Sequence, residues 1–193
     1  MVDLSPRSDL RIITAAVSSA ERPVAQTVVD ALLQAEKAAK QQRVVYPPEA
    51  LIGQWQLRFA TGVRKVKRGG IAVGKGFYLP PFVQAKIGFE RVAADPNYLT
   101  ISNQLQLGGL RFQIFGPAKY LNKKNLLAFD FTQMDLSVFG RSLYRGNFRG
   151  GQTEVATFEQ KPIAKLPFFG FFLITEELIA ARGRGGGLAI WSR

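Results

Sequence analysis

The side chains that carry most acid–base and nucleophilic chemistry are missing here: the chain has no His and no Cys. Without imidazole it lacks the usual general base near neutral pH, the commonest zinc ligand and any His-built triad. Without thiols it has neither a disulfide framework nor a thiolate nucleophile. The adjacent carboxylates Glu176-Glu177 make a poor acid/base couple, because neighbours on a strand point to opposite faces; they read as a turn. Gly74-Lys75-Gly76 lacks the rest of a phosphate-cradling loop. No spacing suits a metal centre. A protein that is not an enzyme, with no catalytic residue, metal or cofactor, is the expectation.

Binding chemistry is better represented. Lys and Arg number 26 against 14 Asp and Glu, a net charge of +12. Such a surface collects polyanions such as anionic lipid headgroups, nucleic acid or an acidic protein, although charge also serves plain solubility. Arg64, Lys65, Lys67 and Arg68 precede Gly69-Gly70, an exposed loop that is either simply solvated or an anion-docking patch. Two segments are greasy for loops: Phe77-Tyr78-Leu79-Pro80-Pro81-Phe82, and Leu166-Pro167-Phe168-Phe169-Gly170-Phe171-Phe172 after Lys161 and Lys165. Aromatics beside prolines and lysines suit a membrane interface. The candidate membrane-contact residues are therefore Arg64, Lys65, Lys67, Arg68, Phe77, Tyr78, Leu79, Phe82, Lys165 and Phe168. The run 169–174 is better explained as a strand buried on both faces. Arg182-Gly183-Arg184-Gly185-Gly186-Gly187 reads as a glycine turn between two apolar strands rather than an RNA-binding RGG array, which needs many copies.

The elements that position these residues follow from periodicity. Ser5-Pro6 opens a first helix with Leu10, Ile13 and Val17 on one stripe. Pro23 opens a second, whose stripe is Val24, Val28, Ala31, Leu32 and Ala35. Tyr46-Pro47-Pro48 ends this leader. Then Trp55, Leu57 and Phe59 alternate with Gln54, Gln56 and Arg58, the period of a half-buried strand. Further alternation follows at 83–90, 99–107, 110–114, 127–131, in one strand from Val138 to Phe148, and in a final hairpin at 178–182 and 188–192. Roughly eight to ten strands with regular turns form an antiparallel meander closed into a barrel. The expected fold is mainly β (α+β), with residues 1–48 a helical leader packed on a barrel of residues 49–193.

The inward sets supply a candidate ligand pocket: Trp55, Leu57, Phe59, Ile87, Phe89, Ile101, Leu105, Phe112, Ile114, Phe129 and Phe131. Asn103, Gln113 and Asp130 are candidate polar contacts. A barrel filled by its own side chains is the alternative. No run approaches a membrane-spanning helix, and Met1-Val2-Asp3-Leu4-Ser5 has neither a basic n-region nor an apolar h-region. A soluble intracellular chain, cytoplasmic or peripheral on a membrane, or else a mature form already trimmed, is the expectation.

After the helical leader and proline connector, Leu51-x-Gly53-x-Trp55-x-Leu57-x-Phe59-x-Thr61 resembles the opening of the plastid-lipid-associated protein (PAP, or fibrillin) family. The close is similar: Phe171-Phe172-Leu173-Ile174-Thr175-Glu176-Glu177-Leu178-Ile179-Ala180-Ala181-Arg182-Gly183, a glycine turn, then Leu188-Ala189-Ile190-Trp191-Ser192-Arg193. Ile179 stands where the family often has Arg, and Phe59-Ala60 replaces a frequent Leu-Tyr-Thr wording. The resemblance implies a lipocalin-like barrel, peripheral on thylakoid membranes or lipid bodies, that binds lipids, carotenoids or quinones in a structural or photoprotective role. A cyanobacterial-type member fits best; in a plant the location would be the plastid. It also implies that Arg193 or Arg182 covers Trp55. Rival readings are a phycobiliprotein chromophore lyase or bilin chaperone on a similar barrel, and a basic nucleic-acid-binding protein. The sequence points to no particular protein partner.

Overall fold

A computed structural model describes residues 6–18, 21–66, 70–92, 97–148 and 157–193. Two helices, α1 (Pro6–Val17) and α2 (Ala25–Gln42), precede the strands. These are β1 (Gly53–Val66), β2 (Gly70–Tyr78), β3 (Val83–Arg91), β4 (Tyr98–Leu107), β5 (Leu110–Leu121), β6 (Leu126–Phe129), β7 (Gln133–Val138), β8 (Arg141–Asn147), β9 (Phe168–Ile174), β10 (Leu178–Gly183) and β11 (Leu188–Ser192).

Eight of these strands close a ring, β1-β3-β4-β5-β6-β9-β10-β11 and back to β1, with every pairing antiparallel. The ring is closed only around one half of the barrel. On one edge β1 pairs with β3 through Gly53–Gln56, then changes partner and pairs with β2 from Phe59 to Val66. Likewise β5 pairs with β6 through Ala118–Leu121, but with β7 through Leu110–Phe115. Beyond the ring the wall therefore divides into two blades, β1-β2 and β3-β4-β5-β7-β8.

The division in β5 falls at Gly116-Pro117. Pro117 has no N–H to give a neighbour, while its carbonyl accepts from Asp130 N at 3.0 Å. A Cβ on Gly116 would lie 2.1 Å from the Asp130 carbonyl oxygen, so only glycine lets the β6–β7 link cross so closely.

Strands β9, β10 and β11 carry apolar residues on both faces, and both are covered. Phe171, Ile179, Ala181 and Trp191 face the barrel core. Phe172, Leu178, Ala180, Leu188 and Ile190 face the helices, against Ile13, Ala16, Val28, Val29 and Leu32. Each fully buried Ile, Val or Leu there contributes about 1.5–3 kcal/mol. The helical leader thus packs on the barrel as the alanine-rich stripe requires, though Leu10 and Val24 remain exposed while Ile13 and Ala16 carry the α1 contact. A third cluster, Ala128 with Phe158 and Leu166, covers the outside of β6.

Three expectations are corrected. The stretch after the first strand is no loop through residue 66, since β1 continues and pairs back to β2. Residues 138–148 are not one strand: Phe139 (φ 46°) and Gly140 (φ 79°) turn β7 into β8. Third, Phe59 leaves the face it was assigned. The pairing with β11 shifts between Leu57 (opposite Trp191) and Phe59 (opposite Ile190), so Arg58 is an extra residue in a bulge. Leu57 stays on the inner side and Phe59 emerges among the helix-facing residues.

Candidate functional site

Within the closed half, the sequence-predicted lining residues form a filled core rather than a vacant chamber. Trp55, Ile87, Phe89, Ile101 and Phe129 are buried together, with Leu57 and Phe131 partly buried at the edge of the same cluster. Aromatic rings dominate the packing. Phe129 stacks on Phe169 at 5.1 Å between centroids, Phe169 meets Trp191 edge-on at 5.6 Å, and Phe89 meets Phe171 edge-on at 6.1 Å. Such contacts add about 0.5–1.5 kcal/mol each beyond area burial. Phe59 belongs elsewhere: its ring packs edge-on against Tyr78, centroids 5.0 Å apart, beneath the helices.

The remaining lining residues, Leu105, Phe112 and Ile114, lie past the point where the wall divides. Their register is continuous with the core. Ala85 faces Leu105, Leu105 faces Phe112, and Phe112 faces Leu136; Ile114 faces Met134, and Leu110 faces Val138. One face of the β3-β4-β5-β7 blade is thus a continuation of the barrel interior, and apart from Asn103 these paired positions are apolar.

Exposure on this blade is inverted from the usual arrangement. Leu105 is 49% exposed, Leu107 53% and Leu110 46%, whereas Gln104 and Gln106 between and beside them are half-buried on the opposite face. That opposite face is knit by polar contacts. Arg111 Nε donates to Ser137 Oγ at 3.0 Å, and Arg145 Nε donates to the buried Asp135 Oδ2 at 2.9 Å. Antiparallel sheets ordinarily turn apolar side chains inward and polar ones to water, and a contiguous exposed apolar face marks an interaction surface.

The turns at the end of the blade extend the same character. Val83 pairs with Leu107, Leu107 with Leu110 and Leu110 with Val138, so the β2–β3, β4–β5 and β7–β8 turns share one rim. Phe82 (69% exposed) and Phe139 (85% exposed) project there.

Of the proposed polar contacts, Asn103 lies on the inner face opposite Ile87 and is exposed. Gln113 is on the reverse face, opposite Asp135. Asp130 is held by Lys161 Nζ at 2.8 Å in the β6–β7 link. The structure does not bring these three together.

The membrane-contact candidates also separate. Phe77 and Phe82 are exposed and Leu79 is half-buried. Tyr78 turns towards the leader: its hydroxyl donates to the Pro23 carbonyl at 2.7 Å and the Arg22 guanidinium lies 5.2 Å from its ring centre. Lys165 is exposed, while Phe168 packs on the cluster outside β6. Arg64 and Lys65 lie on β1; Lys67 and Arg68 fall outside the described residues.

Two features lie outside the residues singled out from the sequence. Met134, Leu136 and Val138 continue the inner face through β7, and their alternation with Gln133, Asp135 and Ser137 is the period-2 signal that could have found them. Glu36, which the apolar stripe of α2 does not include, is buried and paired with Arg182: Arg182 Nε donates to Glu36 Oε1 at 2.8 Å, and Lys40 Nζ to the same oxygen at 2.9 Å. Burial alone would raise the Glu36 carboxyl's pKa, but the donors from Arg182 and Lys40 outweigh it and hold the group below its ordinary value of 4.5. The same pairing raises Arg182, against the opposing effect of burial.

Among the described residues no group of His, Cys, Asp and Glu is disposed to hold a metal ion, and no helix is long and apolar enough to cross a membrane. No protein-family model matches the chain, and a search of curated proteins returns no match.

Proposed function

We propose that the protein is a non-enzymatic, lipocalin-like binding protein that takes a small apolar or amphipathic molecule at the divided mouth of its barrel and works at the surface of an anionic membrane. One observation carries the reading: Leu105, Leu107 and Leu110 face water while the glutamines behind two of them are better covered. Burying such a face recovers about 25 cal/mol for each Å² removed from water. A flat polyene, a quinone with its tail, or an acyl chain is the shape that a curved apolar blade accommodates. The closed half acts as the rigid base, and Phe112 and Ile114 lead from it to the mouth.

Membrane apposition rests on the rim. Phe82 and Phe139 stand on turns that flank the β4–β5 turn at the same end, where apolar tips can enter the interface. The net charge of +12 supplies attraction of about 1 kcal/mol for each cation near an anionic bilayer. The resemblance of the G-x-W opening and the closing strand to the fibrillin family favours thylakoid-type membranes, and carotenoid, quinone or lipid as the guest.

Native extraction tests this reading. The protein is purified without detergent from its own cell, and bound small molecules are identified by mass spectrometry. Stoichiometric recovery of an apolar compound supports it. A protein that comes out empty and does not bind liposomes containing anionic lipid overturns it.

A further inference from the structure

A second recess lies away from the mouth, between the C-terminal turn of α2, the β5–β6 turn and the outer side of β9. It is a cavity of about 640 Å³, within the range of small-molecule sites. Its charged lining comprises Lys40, Arg43, Lys123, Lys124 and Arg182 against one carboxylate, Glu36. Phe168 and Phe172 contribute apolar lining.

The carboxylate is already committed. Arg182 engages Glu36 through both Nε and a terminal nitrogen, and Lys40 adds a third contact. Lys40 and Arg43 also suit the negative end of the α2 dipole, so their presence by itself has a purely structural explanation. That explanation does not extend to Lys123 and Lys124, which come from a different turn. Among the described residues, no ion pair engages Arg43, Lys123 or Lys124.

Asn125 ties together the two chain segments that carry these cations. Its side chain donates from Nδ2 to the Val44 carbonyl at 2.6 Å and accepts at Oδ1 from Tyr46 N at 2.9 Å. Its own backbone is left-handed (φ 47°), as is that of Arg43 (φ 51°). One buried amide thus ties the Arg43 turn to the Lys123-Lys124 turn. Cations gathered on one lining repel each other, and an anion among them relieves that repulsion.

We infer that this recess binds the phosphate head of an amphiphile, with Arg43, Lys123 and Lys124 around the head and the start of the apolar chain on the phenylalanine lining. The inference stands apart from the mouth, because it shares no residue with Leu105, Leu107 or Leu110. The phosphate can belong to a membrane lipid or to a soluble phosphorylated amphiphile, and the test separates these sources.

Calorimetric titration of the full chain with dodecyl phosphate below its micellar concentration is set beside inorganic phosphate and dodecyl maltoside. Vesicles with and without phosphatidic acid form the lipid arm. Dodecyl phosphate is expected to bind at least about tenfold more tightly than either single-feature probe, with affinity falling as salt rises. The titrations are run in the Leu105→Gln/Leu107→Gln background so that the mouth does not contribute, and there the added double substitution Lys123→Ala/Lys124→Ala is expected to lose about tenfold with an unchanged circular dichroism spectrum. Dodecyl phosphate binding with no phosphatidic acid dependence on vesicles assigns the site to soluble ligands; dependence in both assigns it to lipid. Equal binding of dodecyl maltoside, equal binding of inorganic phosphate, or indifference to the lysine substitutions overturns the inference.

Discussion

The guanidinium of Arg193 lies over the indole of Trp55, 4.4 Å from the ring centroid. Beneath it Trp55 Nε1 donates to the Leu51 carbonyl at 2.8 Å, and Arg193 itself donates to the Ile52 carbonyl at 2.9 Å. The last residue of the chain thus closes the base of the barrel over the first strand's tryptophan. Of the two arginines that the resemblance offered for this position, Arg193 takes it and Arg182 is occupied by Glu36. Arg193→Ala is expected to destabilise the fold by about 0.5–1 kcal/mol for an exposed cation–π contact, with Arg193→Lys between it and the parent. Urea denaturation followed by tryptophan fluorescence measures both.

Gly76 marks the second fastening. A Cβ added there would fall 2.2 Å from Phe59 Cζ, because the bulge after Leu57 sends that ring to the helix side and across β2. Gly76→Ala is expected to cost about 1–3 kcal/mol through overpacking. Adding Phe59→Leu to Gly76→Ala should recover part of the loss, and chemical denaturation of the single and double variants shows whether it does.

Acid should weaken the tie between α2 and β10 that Glu36 makes with Arg182. Glu36 has a folded-state pKa below its ordinary 4.5, so its contribution is complete above that value and is lost as pH falls through the lower, folded value. Glu36→Gln is expected to lower stability at neutral pH by about 1.5–3 kcal/mol, the range for hydrogen bonds to charged groups. It should also flatten the dependence of stability on pH below 4.5. Denaturation series across that range for parent and variant check both the size and the slope.

Much of the architecture was legible because strand periodicity and turn residues are local signals. The G-x-W strand, the glycine turn at 183–187, the exposed Glu176-Glu177 turn and, Val24 apart, the alanine-rich stripe of α2 lie where their patterns place them. Phe59 was misplaced for a definite reason: a bulge inserts one residue without altering apolar/polar alternation in the sequence, yet it exchanges the two faces. The divided mouth was not legible either. It arises because β1 and β5 each change partner midway, and partner choice is a long-range property. Leu105 and Phe112 read the same whether the wall around them is whole or parted. Asn125 likewise carries no local mark of its role, which depends on chain far away at Val44 and Tyr46.

Titration with a short-tailed quinone such as decylbenzoquinone, read by tryptophan quenching, compares the parent with Leu105→Gln/Leu107→Gln. Both leucines are about half exposed, so the exchange should leave the unfolding free energy within about 0.5 kcal/mol of the parent. Saturable binding near one equivalent by the parent, weakened at least about tenfold in the equally stable variant, is the result expected if the mouth holds the guest. Undiminished binding by the variant, or no saturable binding by the parent, would contradict it.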